Sequence, residues 1–204
     1  MIFTSAKGKI SFVKFILNKD PEQDLNEPLI AAAENGHVNV VELLLNRGAD
    51  INYKDKYNYS ILLIASKNGN LNLIRLLLER NITVHLDVAF FKACEENWID
   101  IVRMLLDKGV DVNISNHYKN TSLIIVSSQG YIEIANLLLS RGANINHQNT
   151  YGKTALMVAS LRKNIEMVKF LLNNGANKYI EDNDYKTALE LVPKKYKELR
   201  NLLS

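Results

Sequence analysis

The spacing of the glycines constrains the fold of this chain more than any other feature of its sequence. Gly36, Gly69 and Gly130 fall into one column of a self-alignment, with Asn97 and Lys163 at the same position. Successive members of this column are 33, 28, 33 and 33 residues apart. Regular spacing of this length is typical of an array of stacked repeats, in which each unit buries its apolar face against its neighbours.

A second column with the same spacing follows the first. Its members are Gly48, Asn81, Gly109, Gly142 and Gly175. Between the two columns, apolar residues recur at positions i, i+3 and i+4, as in the Val-Val-Glu-Leu-Leu-Leu segment at 40–45, and this period predicts an amphipathic helix. A glycine just past such a helix occupies the position where a left-handed backbone is usual. Because a shorter apolar segment also precedes the first column, each unit is predicted to be a helix–turn–helix.

Short motifs identify the type of repeat. Gly-Ala-Asp-Ile-Asn at 48–52, Gly-Val-Asp-Val-Asn at 109–113 and Gly-Ala-Asn-Ile-Asn at 142–146 resemble the ankyrin-repeat signature. The segment Tyr-Gly-Lys-Thr-Ala-Leu at 151–156 resembles the ankyrin segment Gly-x-Thr-Pro-Leu-His-x-Ala. The resemblance covers nearly the whole chain. The histidine of that segment is absent throughout, and only Pro28 holds the proline position.

This resemblance implies an all-α repeat solenoid, built from ankyrin helix–turn–helix units with projecting β-hairpin fingers. We expect about six helix pairs and a short C-terminal cap within a single ankyrin-repeat domain, 1–204. The predicted units are 1–27, 28–60, 61–88, 89–121, 122–154 and 155–187, with the cap at 188–204. Two junctions, at 20–27 and 81–88, are five residues shorter than the others and are predicted to lack a hairpin.

Four polar loops of eight residues separate the other units. They span residues 53–60, 114–121, 147–154 and 180–187. Their third position holds Asp55, Asn116, Asn149 or Asp182. A short polar side chain at such a position can bond the backbone two residues later and set a turn. We therefore expect each loop to contain a tight reverse turn.

Tyrosines are concentrated in these loops. Tyr57, Tyr118 and Tyr151 share the position two residues after the turn-setting Asp or Asn, and six of the nine tyrosines lie in the four loops. Tyrosine offers a large amphipathic contact area at low entropy cost and is enriched in binding hot spots. The alternative is that these rings pack on neighbouring loops and only stiffen them.

The resemblance also implies a function. In ankyrin proteins, partners bind a concave face formed by the fingers and the first helix of each unit. We therefore expect a non-catalytic scaffold or adaptor that binds another protein through this face. The candidate partner-binding residues are Lys54, Lys56, Tyr57, Tyr59, His117, Tyr118, Asn120, Gln148, Tyr151 and Lys153.

Two other functions fit parts of the sequence. Ankyrin repeats resemble known targets of asparaginyl hydroxylation, and Asn52, Asn113 and Asn146 match the modified position; their plain interpretation is that they stabilise the hairpins. Alternatively, the C-terminal half binds nucleic acid or an acidic partner, since residues 103–204 carry 14 basic and 9 acidic residues. We favour protein binding, because these basic residues are spread over several units and are not interleaved with stacking aromatic side chains.

Catalytic and metal-binding chemistry finds no support in the sequence. His37, His85, His117 and His147 have no metal-type spacing with one another or with Cys94. The chain has no glycine-rich phosphate loop and no nucleophile motif. We therefore expect no enzyme activity, no catalytic residues, no cofactor and no metal.

Composition disfavours several further classes. One cysteine in 204 residues excludes an intramolecular disulfide framework and is typical of a reducing compartment. No apolar run approaches the roughly 18 residues of a membrane helix. A net charge of +3 is too small to indicate a membrane or nucleic-acid partner. We expect a cytoplasmic monomer, located in the host cytosol if a virus or a secreting bacterium is the source.

Overall fold

The computed structural model describes residues 1–20 and 22–204 and contains, in these residues, thirteen α-helices. The chain divides into two compact units, Met1–Lys108 and Gly109–Ser204. None of the described helices is both long and apolar enough to cross a bilayer.

The first unit contains eight helices that form successive antiparallel pairs. They are α1 (Ile2–Ala6), α2 (Ile10–Lys19), α3 (Asn26–Glu34), α4 (Val38–Asn46), α5 (Ile61–Lys67), α6 (Leu71–Glu79), α7 (Leu86–Glu95) and α8 (Ile99–Asp107). Each odd-numbered helix packs against the even-numbered helix that follows it. The odd-numbered helices also pack in sequence, α1 on α3, α3 on α5 and α5 on α7, and the even-numbered helices do the same. The unit is therefore a two-layer stack of helix pairs.

The second unit has the same plan. Its helices are α9 (Ser122–Gln129), α10 (Ile132–Ser140), α11 (Ala155–Leu161), α12 (Ile165–Asn173) and α13 (Lys197–Leu203). Helix α9 packs against α10 and α11, α11 packs against α12, and α12 contacts α13. The segment 188–204 contributes only this last helix, preceded by turns at 188–191.

The second helix of each pair contributes an apolar stripe to the core of its unit. In the first unit this stripe includes Leu44, Leu77 and Leu105, and in the second Leu138 and Leu171, all with 0% exposure. These positions face the helix pairs on either side of them, so burial of each stripe depends on the neighbouring repeats. Repeat-to-repeat packing is therefore the main apolar contribution to stability.

Both glycine columns adopt a left-handed backbone, which the sequence predicted for the second column. In the first column φ is 73° at Gly36 and 84° at Gly130, and in the second it is 93° at Gly48. The substituted positions keep this conformation, with φ of 62° at Asn97 and 59° at Lys163. The repeat register read from the sequence is therefore confirmed at the backbone level, even where glycine has been replaced.

The predicted β-hairpins take a simpler form. The described residues contain no β-strand; the loops form isolated antiparallel bridges between Lys54 and Ser60 and between Ser115 and Thr121. Four of the eight residues in each loop make the turn itself, so too few remain for a ladder of consecutive bridges. The loops are therefore tight turns, two of them closed by a single bridge, rather than stranded hairpins.

The two short junctions connect helices directly. Six residues, 80–85, separate α6 from α7, and six residues, 20–25, separate α2 from α3. Residue 21, which belongs to the second of these junctions, lies outside the described residues. Neither junction has room for the eight-residue loop found elsewhere.

Candidate protein-binding surface

Each eight-residue loop is organised by the side chain of its turn-setting residue. In the loop 147–154, Oδ1 of Asn149 accepts hydrogen bonds from the backbone N–H of Tyr151 at 2.9 Å and of Lys153 at 3.0 Å. The same oxygen accepts the corresponding pair of bonds at Asp55, Asn116 and Asp182. The backbone N–H of Asn149 also donates to the carbonyl of Lys153 at 3.1 Å. The predicted turns are confirmed in all four loops.

A left-handed residue completes each turn. The position is held by Asn58, Lys119, Gly152 and Tyr185, with φ between 55° and 72°. Glycine and asparagine adopt this conformation at little cost, whereas a lysine or a tyrosine is strained there by about 1 kcal/mol. The strained residues are held in place by the bonds of the turn-setting side chain.

In the second unit, consecutive loops are bonded to each other. The backbone N–H and the hydroxyl of Thr150 both donate to the carbonyl of Tyr118, each at 3.0 Å. One repeat later, the backbone N–H of Asn183 donates to the carbonyl of Tyr151 at 3.2 Å. The backbone on which Tyr118 and Tyr151 are mounted is therefore fixed by the following loop.

Side chains add a second set of bonds between these loops. Nδ2 of Asn149 donates to Oδ1 of Asn120 at 2.8 Å. Nε2 of His147 lies 2.9 Å from the carbonyl oxygen of Lys119, so this ring nitrogen carries the hydrogen. The last loop is joined in the same way, since Nε2 of Gln148 donates to the carbonyl of Glu181 at 2.9 Å.

A buried ion pair links the last two loops. Nζ of Lys153 lies 2.8 Å from Oδ2 of Asp182, whose side chain has 0% exposure. Burial by itself raises the pKa of the Asp182 carboxyl, but hydrogen bonds from Lys153 and from the backbone of Lys186 and Asp184 outweigh it and hold the pKa below its ordinary value. The carboxylate stays charged because every side of it is met by a donor.

The tyrosine rings of the second unit remain open to solvent. Tyr118 is 48% exposed, Tyr151 56% and Tyr185 81%. His117, itself exposed, packs on Tyr118 with ring centroids 4.0 Å apart. The sequence left open whether these rings stiffen the loops. The hydrogen bonds that join the loops come from backbone and amide groups, and the rings remain exposed to solvent.

The first unit carries one loop of this type, 53–60. Tyr57 is 69% exposed, with Nζ of Lys56 5.0 Å from its ring centroid. Tyr59 is 38% exposed and has Nζ of Lys67 at 6.0 Å. The fourth candidate of this loop, Lys54, is exposed and forms the bridge to the end of the loop.

The ten candidate partner-binding residues thus divide into two groups. The polar ends of Asn120, Gln148 and Lys153 are used in bonds between loops. The remainder present exposed side chains, and they are Lys54, Lys56, Tyr57, Tyr59, His117, Tyr118 and Tyr151. Sequence reasoning left out Tyr185, although it is the most exposed tyrosine, because it is displaced by one residue from the tyrosine column.

The three candidate hydroxylation sites have a structural role. Oδ1 of Asn146 accepts a hydrogen bond from the backbone N–H of Asn177 at 2.8 Å, and Oδ1 of Asn113 accepts one from Asn144 at 2.8 Å. In the first unit, Oδ1 of Asn52 accepts a hydrogen bond from the backbone N–H of Thr83 at 3.1 Å. The donors lie 31 residues later, so these asparagines join successive repeats, whereas the sequence suggested a role within one hairpin.

His37, Cys94 and Trp98 have structural roles between the repeats or in the core. Nε2 of His37 lies 3.0 Å from the carbonyl of Ala6, and the Cys94 side chain is fully buried. Trp98 covers Gly69, where an added Cβ would lie 2.6 Å from the indole ring. Within the described residues, no three His, Cys, Asp or Glu side chains are grouped to hold a metal ion.

Comparison with known proteins identifies the repeat. The family described as ankyrin repeats (3 copies) matches residues 1–88 and 86–149, and the family described as ankyrin repeats (many copies) matches residues 138–192. A putative ankyrin repeat protein of Acanthamoeba polyphaga mimivirus is 32% identical over 111 residues, which are 54% of this chain and 52% of that protein. The ankyrin repeat and KH domain-containing protein mask-1 of Caenorhabditis elegans is 46% identical over 44 residues, 22% of this chain and 2% of that protein. The match thus spans about half the length of the viral relative and a small fraction of the nematode relative.

Solved structures share the fold over most of the chain. The ankyrin repeat domain of human ASB11 has a TM-score of 0.84 at 23% identity, over 99% of this chain and 95% of that one. The ankyrin repeat domain of Bcl-3 gives 0.86 at 23% identity, over 99% and 96%. An ankyrin repeat domain from Acinetobacter baumannii gives 0.79 at 29% identity, over 86% and 95%.

Proposed function

Because the chain belongs to the ankyrin-repeat family, a general protein-interaction fold, we propose that it is a non-catalytic scaffold that binds another protein. The observation that carries this proposal is the pair Tyr118 and Tyr151, two exposed rings on loops whose backbones are bonded to the loops that follow. In this proposal the loops act as the fingers of an ankyrin array. Together with the first helices of the units, they form the binding face.

The rigidity of the loops supports this use. A binding surface loses affinity when its side chains and loops must be ordered on association, at about 0.5–1.5 kcal/mol for each immobilised side chain. Here the turn bonds at Asn149 and the bonds from Thr150 to Tyr118 order the backbone in advance. Each tyrosine then brings a large apolar ring and one hydroxyl to the partner.

The chemistry of the surface indicates the kind of partner. The His117–Tyr118 pair and the Tyr151 ring present flat aromatic area with few unpaired charges, because the nearby Lys153 is neutralised by Asp182. Such a surface suits an apolar patch with hydrogen-bonding groups at its rim, the usual composition of a protein interface. The lysine–aspartate pair itself offers a nucleic acid no net charge, and nucleic-acid binding by the basic residues of 103–204 stays a separate prediction.

A photo-crosslinking experiment tests the location of the face. Benzoylphenylalanine is introduced in place of Tyr118, of Tyr151 or, as a control, of Tyr179, which is 75% exposed but lies outside the turn column. We expect the same protein from a lysate of the source or host cell to be crosslinked from positions 118 and 151 and not from 179. Equal crosslinking from all three positions would show non-specific contact and would contradict the proposal.

A binding experiment then tests the energetic role of the rings. The double variant Y118A/Y151A should bind the crosslinked partner at least about tenfold more weakly, whereas Y179A should bind it as the wild type does. The helical circular dichroism of all three proteins should be the same, since each ring is about half exposed or more. Unchanged affinity of the double variant would show that the partner does not bind through these two rings of the second unit.

Hydroxylation of Asn52, Asn113 and Asn146 stays a separate prediction. Intact-mass spectrometry after incubation with an asparaginyl hydroxylase measures it directly. Because each of these side chains already bonds the next repeat, we expect modification to be slower in the folded protein than in unfolded peptides of the same sequence. Equal rates in both states would argue against a structural role for these bonds.

A further inference from the structure

The first helix pair carries an apolar surface that the function proposed above does not use. Ile2 and Phe3 of α1 are 52% and 70% exposed, and Phe12 and Phe15 of α2 are 50% and 52% exposed. The Phe12 and Phe15 rings stack on each other with centroids 6.0 Å apart. These four side chains are called the Phe12 face below.

Positions equivalent to Phe12 are buried in the other repeats. Gly8 precedes Gly36 by one repeat step of 28 residues, so Phe12 is equivalent to Val40. Val40 is 1% exposed, and the next equivalents in the first unit, Leu73 and Ile101, are 0% and 2% exposed. Helices α4, α6 and α8 each pack on the second helix of a preceding pair, whereas α2 belongs to the first pair, so the Phe12 ring is exposed on the side where no helix pair packs against it.

Helix α2 is apolar on two opposite sides. Val13 and Leu17 are buried against the rest of the first unit, at 0% and 3% exposure. Phe12, Phe15 and Lys19 follow the spacing i, i+3 and i+7, which puts them together on the opposite side. A solvent-facing side of a surface helix is normally polar, so this second apolar side indicates a binding surface.

Lysines flank the Phe12 face, and the first carboxylates of the chain follow directly after it, at Asp20, Glu22 and Asp24. Residues 1–19 contain Lys7, Lys9, Lys14 and Lys19 and no aspartate or glutamate. Nζ of Lys7 lies 5.8 Å from the Phe3 ring centroid, and Nζ of Lys19 lies 5.0 Å from that of Phe15. Apolar and cationic groups are therefore interleaved on one short segment.

We propose that the Phe12 face binds the surface of a membrane that contains anionic lipids. A lipid surface offers a partner for both kinds of group on this face. The acyl chains form an apolar layer for the phenylalanines, and the headgroups carry negative charge for the lysines. The two helices would lie in the interface with the rings at the level of the acyl-chain boundary. The lysine side chains would extend to the headgroups.

Charge argues against the simplest rival, a second copy of the chain. Two Phe12 faces in contact would bring together Lys7 and Lys19 of both copies, the lysines whose Nζ atoms lie over the exposed rings. Like charges at an interface cost affinity and suppress association. An anionic membrane meets the same lysines with the opposite sign.

The whole-chain charge concealed this feature. A net charge of +3 led us to expect no membrane partner, but residues 1–19 alone carry four positive side chains and no negative ones. Binding at the interface also requires no spanning helix, in agreement with the lengths of α1 and α2. The net charge of the whole chain and the charge of residues 1–19 lead to different expectations, because the total charge does not describe a local surface.

Vesicle sedimentation tests the proposal on the intact chain. The probes are vesicles of phosphatidylcholine alone and of phosphatidylcholine with about 30 mol% phosphatidylserine, at about 0.05 M and about 0.5 M salt. We expect binding to the phosphatidylserine vesicles at low salt, weaker binding at high salt, and none to phosphatidylcholine. No sedimentation of the wild-type protein with phosphatidylserine vesicles would overturn the proposal.

Two variants separate the contributions of the face. F12S/F15S removes the exposed rings, and we expect partitioning to fall about tenfold or more. K7E/K19E reverses the two charges that lie over the exposed rings, and we expect a fall of at least about 25-fold, since each lysine near an anionic surface contributes a factor of about five. Retained binding in F12S/F15S would overturn the role of the rings.

Matched controls exclude trivial explanations. K194E/K195E makes the same change of net charge at exposed lysines near the C-terminus and should bind vesicles nearly as the wild type does. Y118A/Y151A should also bind as the wild type, so failure here is distinguishable from failure of the protein-binding proposal. Circular dichroism checks the folding of every variant. If light scattering shows a dimer that F12S/F15S dissociates, the face is occupied by a second copy and the membrane proposal is wrong.

Discussion

The loop 180–187 and the junction 80–85 connect helix pairs in two different ways. In the second unit, Asp182 accepts hydrogen bonds from two backbone N–H groups of its own loop and pairs with Lys153 of the preceding loop. In the first unit, the junction depends on Asn52, whose Oδ1 accepts both the backbone N–H and the hydroxyl of Thr83. The same junction ends at His85, a left-handed residue with a buried Nδ1 that has no hydrogen-bond partner.

This difference separates two sources of local order. A loop of eight residues has room for a turn residue that organises it from within, and it can then bond its neighbours. A junction of six residues has no such residue and takes its order from the preceding repeat. Five of the six exposed tyrosines in the described part of the chain lie on the self-organised loops, where the backbone is fixed by bonds that do not involve the rings.

The largest effect is expected at Asp182. D182A removes a buried acceptor and leaves Lys153 without its partner, and we expect a loss of about 2–3 kcal/mol in the free energy of unfolding. The matched change D55A, in the first unit, removes the same turn bonds without a buried ion pair and should cost about 1 kcal/mol. Urea unfolding followed by circular dichroism measures both.

The pH dependence of the same pair sharpens this prediction. Because the pKa of Asp182 is lowered in the folded protein, its contribution is present above the unfolded pKa of about 3.9 and is lost as the pH falls through the folded value. D182N, which keeps the acceptor oxygen but not the charge, should lack this acid-dependent loss. An identical acid profile for wild type and D182N would contradict the assignment.

The next effect concerns the bonds between repeats. N52A should cost about 1.5 kcal/mol, because it removes two bonds to Thr83 and the junction 80–85 has no turn of its own. N146A removes one such bond, to Asn177, and should cost about 1 kcal/mol. Fluorescence of Trp98, which lies in the first unit and is the only tryptophan, reports on N52A. A larger loss of unfolding free energy for N146A than for N52A would contradict the idea that the junction depends more on the preceding repeat than the loops do.

A smaller gain is expected at the left-handed position of the loops. Lys119 has φ of 55°, and K119G should stabilise the protein by about 0.5 kcal/mol by removing strain. N58G, at the equivalent position of the first unit, should change little, because asparagine tolerates this conformation. Thermal unfolding of both variants measures the contrast. Destabilisation by K119G would mean that the lysine side chain holds the turn.

The smallest effect is expected from His85. Burial, followed by the positive charge of Lys54, lowers the pKa of His85 in the folded protein. A lowered pKa means that its contribution is present above the unfolded pKa of about 6.5 and is lost as the pH falls through the folded value. H85N, which suits the left-handed backbone and does not titrate, should be less sensitive to a change from pH 7 to pH 5. The urea concentrations at the unfolding midpoints of the wild type and of H85N, measured at the two pH values, test this prediction.

Much of the fold was predictable from single residues and their spacing. Gly36 and Gly48 mark the turn and the helix end because only local backbone geometry decides where glycine is favoured. Asn149 sets its turn through bonds to residues two and four positions away. Asn97 and Lys163 were placed in the first glycine column by register alone, and the structure shows that both share its left-handed backbone.

The roles of polar side chains in the candidate site were less predictable. Asn120, Gln148 and Lys153 were proposed as partner contacts because they sit on the loops, yet each bonds the neighbouring loop. Their partners are 29 to 33 residues away, so nothing in the local pattern distinguishes them from an exposed residue. Tyr185 was passed over for the opposite reason, since it lies outside the tyrosine column but is the most exposed tyrosine.

The chain by itself decided its repeat type, its turns and the order of its helices, because these depend on the backbone preferences of residues close together in sequence. Packing of one repeat on the next decided what each polar or apolar side chain does. It paired Lys153 with buried Asp182, set Trp98 over Gly69, and left Phe12 in solvent although its equivalents are buried. These outcomes depend on contacts across a repeat length, and burial and charge neutralisation exist only once the repeats are stacked.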